Sequence, residues 1–342
     1  ALQESLTVTT HAISGPCFED FHHGLEFDAP AVTLGAGHAA WHQALFGDRL
    51  RIPLDQHTSR AITGAPGAMV HPLLAINIAI GQSTWASQRV KANLFYRGLI
   101  LHRSVHVGDT LYTRTKVVGL RQNKTQANRA ATGIVALEMT TTNQHGETVL
   151  HFWRCPMIPC RNPAAVTGHN DDLDRIGAAA TQTDVIAALP KHWNLAPTQS
   201  WLGWRHDALA VEDHVIVEAR DTVTSAPELV RLSLNMAMAH TDSAVSYLGE
   251  RLVFGGHTIF TCFSQITRAI PNLLTLIAWE NCDHLAPVLE GDRLRTTFDI
   301  RERIPVAQGG ALLRITAKCY AARGTPESET AVLDWTFWAW SA

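Results

Sequence analysis

Along the chain the spacing of apolar positions switches from helical to alternating, and it does so twice in the same order. From Val32 to Phe46 the sequence passes Gly35 and Gly37 into HAAWHQALFG, where Trp41, Ala44 and Leu45 recur at helical spacing and Gly47 stands where a helix would stop. A breaker-rich turn at Gly64, Pro66 and Gly67 then introduces AMVHPLLAINIAIGQSTWA, apolar on nearly every side, which predicts a helix buried all round. From Asn93 to Ile158 the segments LFYRGLILHRSV, DTLYTRTKVVGL, ATGIVALEMTTTNQ and ETVLHFWRCPMI alternate and are rich in β-branched and aromatic residues. Turns at Val107-Gly108-Asp109 and His145-Gly146-Glu147 separate them, so an antiparallel sheet is predicted to follow the helix. Residues 1–14 carry no pattern, and the ordered chain is expected to begin near Phe18.

Asn162 to Pro197 has few large apolar residues and predicts a long linker with one short helix at Asp184–Leu189. The earlier order then returns. Trp201–Ala219 predicts strands, Ala226–Ala239 a helical run, Gly255-Gly256 a turn and Thr258–Ile270 an apolar helix; LLTLIAWENC, DRLRTTFDIRE, ALLRITAKCYA and AVLDWTFWAW predict the second sheet. Asp48 and Asn235 differ by 187, Gly67 and Gly255 by 188, and Gly108-Asp109 and Gly291-Asp292 by 183, an offset steady enough to indicate duplication. An all-round apolar helix needs wrapping, and a curved antiparallel sheet supplies it. The predicted architecture is therefore α+β: a double hotdog with one repeat at 15–161, a linker at 162–197 and a second repeat at 198–342.

Composition narrows the partners. The 342 residues are 46% hydrophobic and 17% charged, with a net charge of -3 and a pI ≈ 6.7. The basic residues are scattered, which argues against nucleic acid. No apolar run reaches the roughly 20 residues that span a bilayer. The start, ALQESLTVTT, lacks a charged stretch followed by an apolar one, so a cytoplasmic protein without membrane insertion is expected. Of the six cysteines (17, 155, 160, 262, 282, 319) only Cys155 and Cys160 are near one another, with no second pair, which predicts core thiols and no metal site. Gly64-Ala65-Pro66-Gly67 lacks the lysine and hydroxyl residue of a phosphate loop, and neither Gly-x-Ser-x-Gly nor His-Glu-x-x-His occurs.

The chemistry-bearing stretch is RLSLNMAMAHTDSAVSYLGERLVFGGH, Arg231 to His257. Read as a helix, it carries Asn235 inside an apolar face (Leu232, Leu234, Met236, Met238) and, five residues on, His240. A buried amide needs partners, which a ligand or a backbone carbonyl could supply. A histidine near a helix end could equally meet free carbonyls. Gly255-Gly256 suits either a close approach of ligand to a helix N-terminus or an ordinary tight turn.

This arrangement resembles the MaoC-like family of (R)-specific enoyl-CoA hydratases and dehydratases. Their motif is Gly-Asp-x-Asn-Pro-(aliphatic)-His, in which the aspartate and histidine bind the catalytic water. The first half has Gly47-Asp48-Arg49-Leu50-Arg51-Ile52-Pro53, with the aspartate kept and Pro53 in the histidine position; the second has Leu234-Asn235-Met236-Ala237-Met238-Ala239-His240, with the histidine kept. GDTLYTRTKVVGLRQNK, Gly108 to Lys124, is most similar to the mesaconyl-CoA hydratase branch, which is also a double hotdog. The resemblance implies that His240 is the acid/base group, that Asn235 positions water or substrate, and that Gly255-Gly256 presents N–H groups to a thioester oxygen. Asp48 becomes the remnant of a degenerate site in a half without histidine. It implies an acyl-CoA thioester as partner, with coenzyme A entering as part of the substrate and no separate cofactor, and Arg121–Lys124 as a cluster that could meet its phosphates. With the dyad split between halves, three activities stay open: a hydratase/dehydratase, a non-catalytic acyl-CoA-binding protein, and an acyl-CoA thioesterase. A homodimer of the fused chain is also left open.

Overall fold

The computed structural model describes residues 9–124, 129–203, 207–324 and 328–342. After a 3-10 turn at Phe18–Asp20 come the short strands β1 (Glu26–Phe27) and β2 (Val32–Thr33) and helix α1 (Ala36–Phe46). Gly47, at φ 56°, ends α1 in the left-handed conformation that glycine adopts without strain. Two short helices follow, α2 (Arg51–Leu54) and α3 (Gln56–Thr63), the latter capped by the Asp55 carboxylate on the His57 and Thr58 N–H groups. Helix α4 (Pro72–Gln82) is buried at every position, as its all-round apolar sequence requires. The strands β3 (Ala92–Leu101), β4 (Thr110–Gln122), β5 (Thr132–Thr142) and β6 (Thr148–Pro159) complete the first half. Helix α5 (Gln182–Ala187) lies in the connection. The second half holds β7 (His214–Ile216), β8 (Asp221–Thr222), α6 (Ala226–Leu232), α7 (Gly255–Ala269), β9 (Leu273–His284), β10 (Arg293–Pro305), β11 (Ala311–Ala322) and β12 (Glu329–Ser341).

The twelve strands of the described residues form one antiparallel sheet whose main path runs β1-β4-β5-β6-β3-β9-β12-β11-β10-β7, with β2 on β4 and β8 on β10. The order is the same read outward from the β3–β9 seam in either direction, so the halves are related by a pseudo-twofold. At the seam Tyr96 faces Cys282 and Leu99 faces Trp279. The concave face wraps α4 and α7, with Phe260, Phe263, Trp279 and Trp335 fully buried in the shared core. This is a double hotdog. Within the two helices Gln82 and Gln265 stand at matching places, each donating from Nε2 to a strand carbonyl, Leu111 and Leu294 respectively, at 3.0 Å. All six cysteines are buried free thiols. Among the described residues no helix is long and apolar enough to cross a membrane.

Several sequence expectations need correction. The connection after β6 is a strap against the outer face of the sheet rather than a free linker. Leu173 packs with Phe95, Ile134 and Cys155, and Val185 and Leu189 pack with Trp338 and Trp340. A few well-spaced apolar residues suffice to cover a sheet already made, so low apolar content is a poor guide. Its helix starts at Gln182, capped by Thr181, rather than at Asp184. Of the strands expected over Trp201–Ala219 only His214–Ile216 forms, residues 204–206 lying outside those described. The helical run ends at Leu232 rather than Ala239. Gly255 and Gly256 are the first two residues of α7 rather than a separate turn. The helix caps His71 and Phe254, not Gly67 and Gly255, are the equivalent landmarks; they differ by 183, the same offset as Gly108 and Gly291.

Each half anchors a loop on the other half's central helix. Gly47 and Leu234 (φ 57°) reverse the chain after α1 and α6, and the next residue bonds two positions ahead: Asp48 Oδ1 accepts from Leu50 N (2.7 Å) and Asn235 Oδ1 from Ala237 N (2.9 Å). Arg49 N then donates to Thr267 Oγ1 at the end of α7 (3.2 Å), and Met236 N to Thr84 Oγ1 just beyond α4 (2.9 Å). The second contact is so close that a Cβ on Gly81 would lie 1.7 Å from the Ser233 carbonyl oxygen. Gly81→Ala is expected to displace the Asn235 loop and destabilise the chain by about 1–3 kcal/mol, measured by urea denaturation; an unchanged midpoint would show that the loop is not clamped there.

Candidate active site

The anchored loop forms one wall of a cavity of ≈ 260 Å³ between the halves. The end of α4 and the start of β3 form the wall from the first half; the start of α7 and the end of β9 complete the second. His240 enters on a 3-10 turn, Met238–His240, rather than on a helix. Its Nδ1 lies 2.7 Å from the Leu252 carbonyl oxygen, which can only accept, so Nδ1 carries the proton and Nε2 keeps its lone pair. Burial pulls its pKa to about 4, the Leu252 bond opposing and the Arg154 charge reinforcing the shift. Asn235 is 7% exposed. Its Oδ1 is held by Ala237 N, which leaves the amide NH₂ as the group it can offer a ligand.

His284, from the end of β9, carries no sequence signal of its own. Its pKa is also pulled to about 4, first by burial and then by His240 nearby. Its Nε2 is buried without a partner among the described residues, and a Cβ on Gly255 would lie 2.3 Å from that nitrogen. Glycine at 255 is what lets an imidazole rest on the first turn of α7, where N–H groups are free. Gly256 serves helix packing instead, because a Cβ there would meet Asn77 Oδ1 of α4 at 2.3 Å, and the residue does not line the cavity. His257 bonds the Thr224 carbonyl through Nε2 (3.0 Å), a structural contact. Arg154 also lines the cavity and is absent from the residues that the sequence pointed to. Its signal lay in the strand alternation, since a charged residue stands at the inward position two after Phe152.

The pseudo-symmetric position is occupied differently from the expectation. Asp48 does have a histidine, delivered by the start of α4 rather than by its own loop. His71 Nδ1 accepts from Leu73 N (3.1 Å), so Nε2 carries the proton and donates to Asp48 Oδ1 (3.1 Å). Thr267 donates to Oδ2 (3.1 Å), so both carboxylate oxygens are engaged, and Asp48 is 1% exposed. Phe46 stacks on Phe260 at 4.1 Å and His42 meets the same ring edge-on at 4.1 Å, filling the space beside the pair. Burial, with His71 next to it, holds the His42 pKa well below its ordinary value.

A second groove, of ≈ 850 Å³, shares Lys91, Ala92, Leu94 and Tyr247 with the cavity and adds Lys124 and Arg129. Of the Arg121–Lys124 cluster, Lys124 borders this groove, whereas Arg121 bridges to Asn170 in the strap.

Buried neutral histidines set a pH limit. His240 and His284 bind protons near 6.5 when unfolded but only near 4 when folded, so between those values the unfolded chain binds more protons. Stability is expected to be fully present above about pH 6.5 and to fall as pH drops toward about 4. His284→Gln should flatten that slope in denaturation curves taken across the window; a wild-type stability independent of pH there would contradict it.

Residues 39–152 match the FAS1-like dehydratase domain region. A conserved hypothetical protein of Mycobacterium tuberculosis with a double hotdog fold is 44% identical, with 97% of this chain and 100% of that one covered and a TM-score of 0.89. Beta-methylmalyl-CoA dehydratase of Chloroflexus aurantiacus is 28% identical over 85% of this chain and 84% of its own length. Mesaconyl-CoA hydratase of Cereibacter sphaeroides is 28% identical over 87% and 86%. With the wrapped helices, the β3–β9 seam and the His240 cavity, these likenesses show that the chain belongs to the MaoC-like double-hotdog hydratase/dehydratase family.

Proposed function

We propose that this chain is a hydro-lyase that adds water to, or removes it from, the α,β double bond of an acyl-CoA thioester. The observation that carries the reading is His240, neutral and with Nε2 unbonded, facing a cavity that also contains the start of α7. In the hydration direction Nε2 takes a proton from water as its oxygen bonds to the β-carbon. The electron pair of the double bond moves onto the thioester oxygen as an enolate. The free N–H at Gly255, together with the positive end of the α7 dipole, stabilises that oxygen. The imidazolium then returns its proton to the α-carbon, so the sum is one water added and His240 restored. Asn235, which cannot take up a proton, orients the water through its NH₂ group. The two relatives named for activities on mesaconyl-CoA and beta-methylmalyl-CoA support the thioester and the reaction type.

His240→Ala is expected to lower kcat by about 10²–10⁴-fold, the usual worth of a positioned acid/base, with the chain still folded by circular dichroism. The assay is loss of conjugated enoyl-thioester absorbance; turnover equal to wild type would remove His240 from the chemistry. Thioester binding without any absorbance change would mean a binding protein, and thiol release a thioesterase.

The groove bordered by Lys91, Lys124 and Arg129 is the proposed seat of the coenzyme A phosphates, because it is basic, solvent-facing and continuous with the cavity. Replacing Lys91 and Arg129 by alanine should raise KM by about tenfold, near 1.4 kcal/mol, leave kcat nearly constant and weaken the dependence of KM on salt. An unchanged KM and salt response would place the phosphates elsewhere.

A further inference from the structure

The start of α7 differs in kind from its counterpart, the start of α4. Residues 183 apart are equivalent here: Val70 N donates to the Val105 carbonyl and Val253 N to the Val288 carbonyl, while His102 N donates to the Val149 carbonyl and Leu285 N to the Val332 carbonyl. By that offset Gly255 and His284 stand where the first half has Pro72 and Leu101. Pro72 is the first residue of α4 and has no N–H to offer. Leu101 is a hydrocarbon, and the space that the two line, with Val70 and Val105, is only ≈ 20 Å³. In the second half both polar groups are present, and the cavity that they line with Val253 and Val288 is ≈ 260 Å³. Glycine in place of proline restores the N–H, and its missing Cβ admits the imidazole, whose Nε2 would lie 2.3 Å from such an atom. That nitrogen is buried and has no partner among the described residues. A buried polar atom left unbonded destabilises the fold, and a ligand oxygen at the same spot would satisfy it.

Resting on the acyl-thioester hydro-lyase reading above, we propose that His284 is a second donor to the thioester oxygen, its imidazole N–H and the Gly255 N–H meeting that oxygen together. As the water oxygen bonds to the β-carbon, the electron pair of the double bond moves onto the thioester oxygen, and two donors rather than one receive the charge. The imidazole keeps its proton throughout, so all proton transfer stays with His240. His284 is poorly suited to giving up a proton. Burial and the neighbouring His240 hold its pKa at about 4, which leaves about one imidazolium in a thousand at pH 7. A neutral imidazole still carries one N–H and can polarise a carbonyl. Arg154, the cation of the cavity, is tied by Nη2 to the Ser83 carbonyl (3.1 Å) and the Ser87 hydroxyl (2.6 Å) just past α4, on the first-half wall, whereas His284 packs on Gly255 itself.

The test compares wild type with His284→Leu, which installs the residue of the first half, and His284→Gln, whose amide donates a hydrogen bond but moves no proton. Butyryl-CoA, isotope-labelled at the thioester carbonyl, has no double bond to hydrate, and its C=O stretch in infrared difference spectra reports on the oxygen directly. The band is expected at lower wavenumber on wild type than in solution, to move back toward the solution position on His284→Leu and to stay low on His284→Gln. A band equally shifted on wild type and His284→Leu would overturn the proposal and leave Gly255 as the donor. An unshifted band on wild type, or no binding of the thioester, would overturn it too. In turnover of crotonyl-CoA, His284→Leu should lose about 10²–10³-fold in kcat, and His284→Gln should recover about tenfold or more of that loss. Equal loss in both variants would give His284 a proton-transferring or structural role instead. The infrared result stands apart from the hydro-lyase reading, because a shift that depends on His284 upholds the contact even if no enoyl thioester is hydrated. Should His284→Leu fail to fold, Gly255→Ala keeps the backbone N–H while its Cβ displaces the imidazole; a band as low as on wild type would then overturn the proposal.

Discussion

The structure depends on a reciprocal hydrogen bond. A backbone N–H just past α1 reaches the threonine at the end of α7, and its counterpart past α6 reaches the threonine beyond α4. A hotdog half can wrap its own helix, but the loop that carries its polar residue is held only when the other half is present. The cavity therefore belongs to neither half: His240 and Asn235 come from one, and the α4 end and Arg154 from the other. The β3–β9 seam supports this by joining two sheets into one, so that the helices keep a fixed separation.

Burial governs the chemistry of that cavity. It keeps two imidazoles neutral near pH 7, which makes His240 a proton acceptor in the correct form, but with a pKa of about 4 it is a weak one. A weak base can remove a proton from water only as the new bond forms and only if the resulting negative charge is well received elsewhere. The proposed reaction therefore leans on the enolate end, where the free N–H groups at the start of α7 and the helix dipole lie against the cavity.

Much of the fold is legible in the sequence because periodicity reports burial. The all-round apolar run at 72–82 and the alternating strands are read the same way in sequence and structure, and the steady offset discloses the duplication. The cavity lining is legible only where spacing within one segment suffices, as for Asn235 and His240, which the structure brings to one cavity. Even there the expected helix is wrong, since Leu234 takes a left-handed conformation stabilised by cross-half packing that one segment cannot announce. His71 pairs with Asp48 across 23 residues, and His284 meets the start of α7 through strand pairing. Both are products of topology, invisible to a motif scan. Arg154 is readable in principle, as a charge on the inward side of a strand.

The engaged carboxylate of Asp48 has a wider meaning. In a symmetric pair of hotdogs two equivalent clefts must evolve together, because every substitution appears in both. Fusion released that constraint: one position could be converted into core, with Phe46, Phe260 and His42 closing around a satisfied Asp48–His71 pair, while the other kept its polar groups half unpaired. The closed position then serves the open one. It is a buttress at the end of α7, the helix whose opposite end lines the open cavity, and its bonded Asp48 carboxylate helps to support a cavity in which, among the described residues, an arginine and a histidine nitrogen have no partner.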